Sequence, residues 1–486
     1  MSYSLSRCGA GVASGVLLAL SFPHPGWWPL AWFALVPLLL ALRGLPPSRA
    51  GGVSFAFGLG FYGLLLTWLN RLGVPAYLTV VAVSAAYSAA FGVLLSAASR
   101  GRGDGRFLVA TCLAWTTVEW LRGLGTASFP WGLVGYSQWT NLPILQLASV
   151  GGVYLVSATV VAANAGLALL LLRRPLGVLP LVLVAVAWSW GEGRLTSQSP
   201  GSGPLLQVAA VQPNLVQQRK LDPDHASLTR QTLLGLTAEA VRAGAQLVVW
   251  PEHYWPDPLL RGGRLDPVIG RAVPEGVALL ATGEIDGHWN SALMVERGSV
   301  VGRHDKVRLV PLGEWWADPG PGYTPVDAPG GPAGVLLCYE VVYPQAARAL
   351  VLRGARYLIH SSEEGWFGES AGPVQHLGFA VVRAVELGRD VVRAASIGIS
   401  GIIDRTGRLQ AQLPQVTQGW VAGRIEPLSD LTPYARWGDQ WVWAAAVVLG
   451  GMGFPAVLPW MRREVVVPFL LPAAAVALGR LFGLGP

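Results

Sequence analysis

The first part of the chain is built from long apolar blocks, with no regular alternation of polar and apolar positions. Seven blocks stand out, near 9–22, 27–43, 52–70, 76–98, 107–122, 150–172 and 176–192. A bilayer span takes about 20 predominantly apolar residues, so the pattern predicts an N-terminal transmembrane domain over 1–195 with seven helical spans. The first block has the look of a signal peptide. It leads straight into further spans, however, and reads as a retained anchor.

The pattern changes at 196–204, a linker rich in Ser, Gly and Pro. Beyond it the apolar runs shorten to strand length. Leu205–Val211 and Gln246–Trp250 read as strands, and further strands are predicted near 277–283, 291–296, 299–304, 333–338, 356–361 and 391–396. His225–Ala243 carries Leu233, Leu236 and Ala240 at helical spacing, and helices are predicted near 343–353 and 373–388. Strands alternating with helices predict an α/β domain over 203–428. The chain turns apolar again over Trp441–Trp460, which places C-terminal transmembrane segments within 429–486. A second run there, Val465–Leu484, is interrupted by Pro468 and Pro472 and is expected to form an extra span or a re-entrant hairpin.

Composition supports this division. Of 486 residues, 52% are hydrophobic and only 13% charged, about half the charged fraction of soluble domains. The net charge of +7 does not point to nucleic acid, because the arginines are scattered between apolar runs. They report topology instead. With the N-terminus inside, Arg7, Arg43, Arg49, Arg100, Arg102, Arg106, Arg173 and Arg174 all fall on the cytoplasmic side, and only Arg71 and Arg122 border the outer side. An odd number of spans then puts the α/β domain outside the cytoplasm and returns Arg462 and Arg463 to it. The three cysteines, Cys8, Cys112 and Cys338, show neither zinc spacing nor a disulfide framework.

Candidate chemistry gathers at strand ends. In Val335-Leu336-Leu337-Cys338-Tyr339-Glu340 a short apolar strand stops at a cysteine, where a nucleophile is held rigidly and aimed into a cleft. Glu252 follows the strand ending at Trp250, and Lys306 follows the strand near 299–304. A carboxylate can take a thiol proton, and an ammonium can stabilise both a thiolate and an oxyanion. The Tyr339 N–H is a natural second oxyanion donor. Taken singly, Cys338 also reads as a small buried hydrophobe, and Glu252 and Lys306 as a solvated pair.

Together, Trp250-Pro251-Glu252, Lys306 with Leu309-Val310-Pro311-Leu312-Gly313-Glu314, and Cys338-Tyr339-Glu340 resemble the Glu–Lys–Cys signature of the nitrilase superfamily. The whole chain resembles its membrane-bound branch, the apolipoprotein N-acyltransferases. Phe129-Pro130-Trp131, Gly135-Tyr136-Ser137-Gln138, Gly365-Trp366-Phe367-Gly368, Gly372-Pro373, Gln375-His376, Arg383-Ala384-Val385-Glu386-Leu387-Gly388-Arg389 and Thr432-Pro433-Tyr434-Ala435-Arg436 occur in the family's order.

The resemblance implies a multi-span helical membrane domain joined to a nitrilase-like four-layer α/β sandwich. It implies Glu252 as general base, Lys306 as stabiliser of the tetrahedral intermediate and Cys338 as the residue that becomes a thioester. Glu314 and Glu340 match further acids that position Lys306 and the incoming amine, and Tyr339 lies beside the nucleophile. The implied reaction moves an acyl chain from a membrane phospholipid, through Cys338, to the α-amino group of a lipoprotein's diacylglyceryl-cysteine. It uses no cofactor and no metal, and the enzyme sits in the cell inner membrane with its catalytic domain on the periplasmic side.

Three segments depart from the family pattern. Its Ser-Asn-Asp is Ser362-Glu363-Glu364 here, its Asn-x-Gly-Ile is Ser396-Ile397-Gly398-Ile399, and its Lys-Trp pair is Lys220-Leu221. The Gly- and Pro-rich loop 312–332 carries Trp315, Trp316 and Tyr323, and another loop carries Trp366 and Phe367. Such aromatics are either core or membrane-interface residues. A lipid substrate favours the interface, with Phe129, Trp131, Tyr136 and Trp139 lining the same approach. Two other classes stay open: a membrane-tethered amidase, which needs a water-filled polar pocket, and a catalytically dead binding or transport protein. An intact triad and the scarcity of ionisable residues in the spans, Glu119 excepted, speak against the latter.

Overall fold

The structure is a computed structural model that describes residues 2–125, 128–197, 204–215, 225–311 and 313–461. Most of the 196–204 linker, Lys220-Leu221, Arg462, Arg463 and the run Val465–Leu484 lie outside the described residues.

Each of the seven apolar blocks holds helix: α1 (Ser2–Ala19), α2 (Val36–Leu42), α3 (Pro47–Leu65), α4 (Val74–Ser99), α5 (Asp104–Leu121), α6 (Ala148–Leu171) and α7 (Val178–Ser197). The block 27–43 is split into a 3₁₀ turn, Trp28–Trp32, and α2, each with a proline in its first turn, where the missing N–H does no harm. By length and composition three helices can cross a membrane: Val74–Ser99, Ala148–Leu171 and Pro175–Ser197. Helix α6 is broken at Gly151–Gly152; Gly152 has φ +69°, and a Cβ there would lie 2.5 Å from the Tyr434 ring.

The two ends of this bundle differ. At one end Arg43 and Arg174 both pair with Asp104, and Ser96 Oγ donates to the Leu45 carbonyl at 2.6 Å. At the other, Gln375 from the α/β domain donates to the carbonyls of Pro23 (2.8 Å) and Leu65 (3.3 Å) and accepts from Trp131 Nε1 (2.7 Å). The arginine-rich loops and the α/β domain therefore occupy opposite ends of the helices.

The α/β domain has strands β1 (Leu206–Gln212), β2 (Leu247–Val249), β3 (Ala278–Ile285), β4 (Trp289–Glu296), β5 (Ser299–Asp305), β6 (Ala333–Leu337), β7 (Tyr357–Ser362), β8 (Val391–Ala395), β9 (Ser400–Ile403), β10 (Leu409–Leu413) and β11 (Gly419–Ile425). They form a six-stranded sheet ordered β11-β1-β2-β3-β4-β5 and a five-stranded sheet ordered β10-β9-β8-β7-β6. Neighbours β1, β2 and β3 run parallel, as do β6, β7 and β8, and the outer strands are antiparallel.

Alternation along each strand sends one set of residues inward and the next outward. Val208, Ala210, Val249 and Leu280 meet Val335, Leu337, Ile359 and Val392 between the sheets. Their neighbours Ala209, Val211 and Val248 pack with Leu233 and Ala240 of α8 (Ala226–Arg242). On the far side, Leu336 and Leu358 pack with α9 (Pro344–Leu352) and α10 (Gly372–Leu387), and that core runs unbroken into Phe57 and Val156 of the helical bundle. The result is a four-layer sandwich whose α9–α10 layer is also the seat of the membrane domain. A last helix, α11 (Gln440–Met461), returns along the bundle.

Replacing Gly152 by Ala tests this seat. The backbone conformation alone costs a non-glycine residue about 1–3 kcal/mol, and the Tyr434 ring would have to move. Gly152→Ala is expected to lower the thermal midpoint of the detergent-solubilised protein. Gly193→Ala on exposed α7, where nothing lies within 4 Å of an added Cβ, should be neutral or stabilising by about 0.5–1 kcal/mol.

Candidate active site

Glu252, Lys306 and Cys338 each follow the carboxyl end of a strand. Trp250 makes the last ladder contact of its segment, donating to the Leu280 carbonyl at 3.1 Å. Pro251 has no N–H to continue the ladder, and the chain leaves the sheet at Glu252. Lys306 follows β5, its N–H fixed on the Asn290 carbonyl at 2.9 Å. Cys338 follows β6 of the other sheet. The site thus lies where the carboxyl ends of strands from both sheets converge.

Lys306 Nζ donates to Glu252 Oε1 at 2.7 Å and to Glu314 Oε1 at 2.8 Å. Asn290 Nδ2 bridges the same two oxygens, at 2.9 and 2.7 Å. The second oxygen of Glu252 accepts from the Glu363 N–H at 3.1 Å, and that of Glu314 from the Val310 N–H at 2.7 Å. Burial opposes a charge on Lys306, but Glu252 and Glu314 outweigh it and hold the ammonium well above its ordinary value. Burial pushes Glu252 up, Lys306 pulls it down, and Glu314 adds to the rise; the net direction is upward.

Cys338 has φ +46°, the left-handed region a non-glycine residue adopts only under constraint. Behind it lies a buried polar cluster. Arg393 donates to His360 Nδ1 at 2.5 Å, which leaves His360 Nε2–H to donate to the Cys338 carbonyl at 3.2 Å. His376 has an acceptor at each nitrogen: Glu364 Oε1 at 2.7 Å from Nδ1, and the Cys338 carbonyl at 3.2 Å from Nε2. Both contacts ask for a doubly protonated ring, whereas burial lowers the His376 pKa. The charge-assisted bond to Glu364 is the stronger of the two, so it keeps the proton and the Cys338 contact is the weaker. Arg393 also pairs with Glu364.

The Cys338 Sγ sits 3.8 Å from the Glu363 carbonyl. Burial pushes its pKa well up, Glu252 pushes the same way, and Lys306 opposes them. The expectation that Lys306 favours the thiolate is right in direction but outweighed: at rest this is a neutral thiol.

The remaining sequence candidates fall in several places. Glu340 does not reach the Lys306 ammonium. It accepts from the N–H groups of Val307 (2.8 Å), Arg308 (3.3 Å) and Leu337 (2.8 Å) and pairs with His304 at 3.0 Å, so it pins the backbone on both sides of the site. Burial would raise Glu340, but His304 and these N–H groups hold it below its ordinary value. Tyr339 and Tyr343 both donate to the Ser128 carbonyl, at 3.2 and 2.8 Å, tying the nucleophile's turn to the loop between α5 and α6.

Trp315 and Trp366 are exposed, at 86% and 49%. Trp316 packs edge-on to His253 at 5.2 Å. Trp131 and Phe367 depart from the expected lipid approach: both are buried. Trp131 stacks on half-buried Phe129 and on His376, and contacts Trp68 and Phe379. Phe367 meets Trp68 at 4.8 Å. Shape complementarity between bundle and sandwich takes these rings out of any open surface. Glu119, the acid in a span, accepts from Trp115 Nε1 (2.8 Å) and the Val134 N–H (2.7 Å).

Sequence reasoning missed Asn290, His304, His360 and Arg393. Asn290 had a signal: asparagine is disfavoured in strand interiors, yet it stands inside the strand run Trp289–Glu296. The histidines and Arg393 gave none, because their partners lie 22 to 36 residues away.

Comparison with known proteins agrees with this architecture. Residues 14–166 match the family described as apolipoprotein N-acyltransferase N-terminal domain, and residues 266–435 match carbon-nitrogen hydrolase. The second match falls on the sandwich, which has the nitrilase fold. A curated relative from Geobacter metallireducens, named apolipoprotein N-acyltransferase, is 33% identical over 93% of this chain and 95% of its own. One of the same name from Azotobacter vinelandii is 33% identical over 90% and 92%, and one from Vibrio cholerae 28% identical over 96% and 99%. With identity at that level across nearly the whole of both chains, this protein belongs to the apolipoprotein N-acyltransferase family.

Proposed function

We propose that this protein transfers an acyl chain from a membrane phospholipid to the N-terminal diacylglyceryl-cysteine of apolipoproteins, through a thioester on Cys338. The observation that carries the reading is the buried Lys306 clamped by Glu252 and Glu314 in electrostatic range of a strained, neutral thiol. Glu252 takes the thiol proton as Sγ attacks the ester carbonyl. Lys306 and the Tyr339 N–H stabilise the oxyanion. The ester C–O bond breaks, and the proton on Glu252 passes to the departing lysophospholipid alkoxide. In the second half the lipoprotein's amine attacks the thioester, Glu252 takes its proton, and the thiolate leaves and recovers it. The kinetics are ping-pong, and no cofactor enters the scheme.

The family membership and the apolar helices support a membrane location. We assign the bundle over 1–195 as multi-pass in the cell inner membrane, the domain 203–428 to the periplasmic side, and 429–486 to the membrane again. A phosphatase reporter fused after Pro200, active only outside the cytoplasm, should be active; a reporter active only in the cytoplasm at that position would reverse the orientation.

The covalent step is tested with labelled phospholipid and no acceptor. The wild type should retain label in a hydroxylamine-sensitive bond and release one lysophospholipid per label, and Cys338→Ser should abolish turnover. Lysophospholipid that appears only when acceptor is present would replace the covalent route by direct transfer. Lys306→Ala should lose the oxyanion contact, costing about 3–4 kcal/mol in the barrier by analogy with oxyanion-hole deletions.

The pH dependence of the acylation half-reaction follows from Glu252. The base must be ionised, and its pKa is raised. The rate is therefore full above that raised value and falls as pH drops through it, at a pH above the ordinary glutamate value of about 4.3. Because the Glu314 charge contributes to the rise, Glu314→Gln should move this acid limb to lower pH, as read by lysophospholipid release in rapid-quench experiments.

A further inference from the structure

We infer that the end of the helical bundle away from the sandwich holds a binding site for the phosphate of an anionic phospholipid headgroup. A cavity of about 140 Å³ opens there, walled by Leu42–Leu45 after α2, Leu95–Arg102 around the end of α4, and Phe107 of α5. Three arginines line it: Arg43, Arg100 and Arg102.

Their states differ in a way that suits an anion. Arg43 is held in place by Asp104 on one side and by the Phe107 ring, 5.2 Å from its Cζ, on the other. Its Nη1 is buried and has no hydrogen-bond partner among the described residues, a donor that calls for a ligand or water. Arg102 is anchored through Nη1 to the carbonyls of Ala98 (2.9 Å) and Met452 (3.1 Å). Arg100 is exposed. The Ser96 and Ser99 hydroxyls donate to the Leu45 and Leu95 carbonyls, at 2.6 and 2.7 Å, and stiffen the wall. The facing acid is Asp104, which Arg43 shares with Arg174, so the cavity is net positive.

The lipid assignment comes from what lies beside it. Val93 on α4 and Val109 on α5 are exposed, at 38% and 47%. They stand six and five residues in from Ser99 and Asp104, about 8–9 Å along the helix axes, where acyl chains attached to a phosphate in the cavity would run. Basic pockets between membrane helices bind headgroups in this way. The topology rule accounts for arginines at this end, but not for a cavity walled by them or for a guanidinium clamped between a carboxylate and a ring.

The test is native mass spectrometry of the full-length protein in detergent, offered phosphatidylglycerol, phosphatidylcholine or inorganic phosphate. It reads binding without acyl transfer, so its outcome is separate from that of the proposed reaction. Phosphatidylglycerol adducts are expected to exceed phosphatidylcholine adducts about fivefold or more. Arg43→Gln and Arg100→Gln should each cut them about fivefold, and Arg49→Gln, an exposed arginine of α3 outside the cavity, should not. Arg43→Gln also breaks the pair with Asp104, so Arg100→Gln, which breaks no bond among the described residues, is decisive. Equal binding of the two lipids, unchanged binding by Arg100→Gln, or a phosphate adduct that phosphatidylglycerol fails to displace would each overturn the assignment.

Discussion

An ammonium that is 1% exposed is the constraint around which the catalytic half of this protein is arranged. Withdrawing a charge from water costs several kcal/mol even after the protein relaxes, and only close opposite charge and full hydrogen bonding return it. Lys306 meets that demand with two carboxylates. Glu252 is buried in turn and Glu314 partly so, and they draw in Asn290 and the N–H groups of Glu363 and Val310. The segments after β2, β5 and β7 and one residue of β4 are thereby pinned to a single point. Burial keeps the pKa of Glu252 raised against the pull of Lys306, and the Glu314 charge adds to the rise, the direction a proton acceptor needs.

The thiol is built on the opposite principle. Its neighbourhood is too dry and too negative to hold a thiolate at rest. What the fold supplies is position: a left-handed backbone at Cys338, a carbonyl held from behind by His360, and a flanking tyrosine tied to the membrane domain through Ser128. For the proposed reaction, a neutral thiol beside a raised-pKa carboxylate suits a lipid donor: little charge waits exposed in the site, and proton transfer is coupled to attack.

What the sequence reveals follows the range of each interaction. Glu252 and Cys338 are legible because each ends an apolar strand run with a polar residue; Lys306 follows the polar stretch Arg303-His304-Asp305 and is legible only beside them. The inner strands are legible because strands such as β1 are apolar on both faces. Strands β9, β10 and β11 are not predicted, and β10 is a short, half-exposed edge strand, Leu409-Gln410-Ala411-Gln412-Leu413, with little apolar signal. The seven blocks of the bundle are legible as helices, yet block length overstates how many match a bilayer, since prolines divide 27–43. The aromatics are legible only as a group. Composition cannot separate exposed Trp315 from buried Trp131, because that depends on which rings face the seam between two domains. His304, His360 and Arg393 find their partners on other segments and could be assigned only once those segments were brought together.

The departures from the family pattern show how such a network tolerates change. Glu363 and Ser396 both stand where the family has asparagine, and here they touch: Ser396 Oγ donates to Glu363 Oε1 at 3.0 Å and accepts from the Glu364 N–H at 2.9 Å. One side chain is longer than asparagine and the other shorter, and the two meet. The other change in the Ser362-Glu363-Glu364 segment, glutamate for aspartate at 364, needs room for an extra methylene. That room is the missing side chain of Gly398, whose Cβ would fall 1.5 Å from Glu364 Oε2. Glu364 carries both His376 and Arg393, so a Cβ at 398 would displace the carboxylate that orients the cluster behind the nucleophile. The three substitutions thus act as one altered buttress. They meet Glu252 through the Glu363 backbone N–H, a contact that does not depend on which side chain stands at 363.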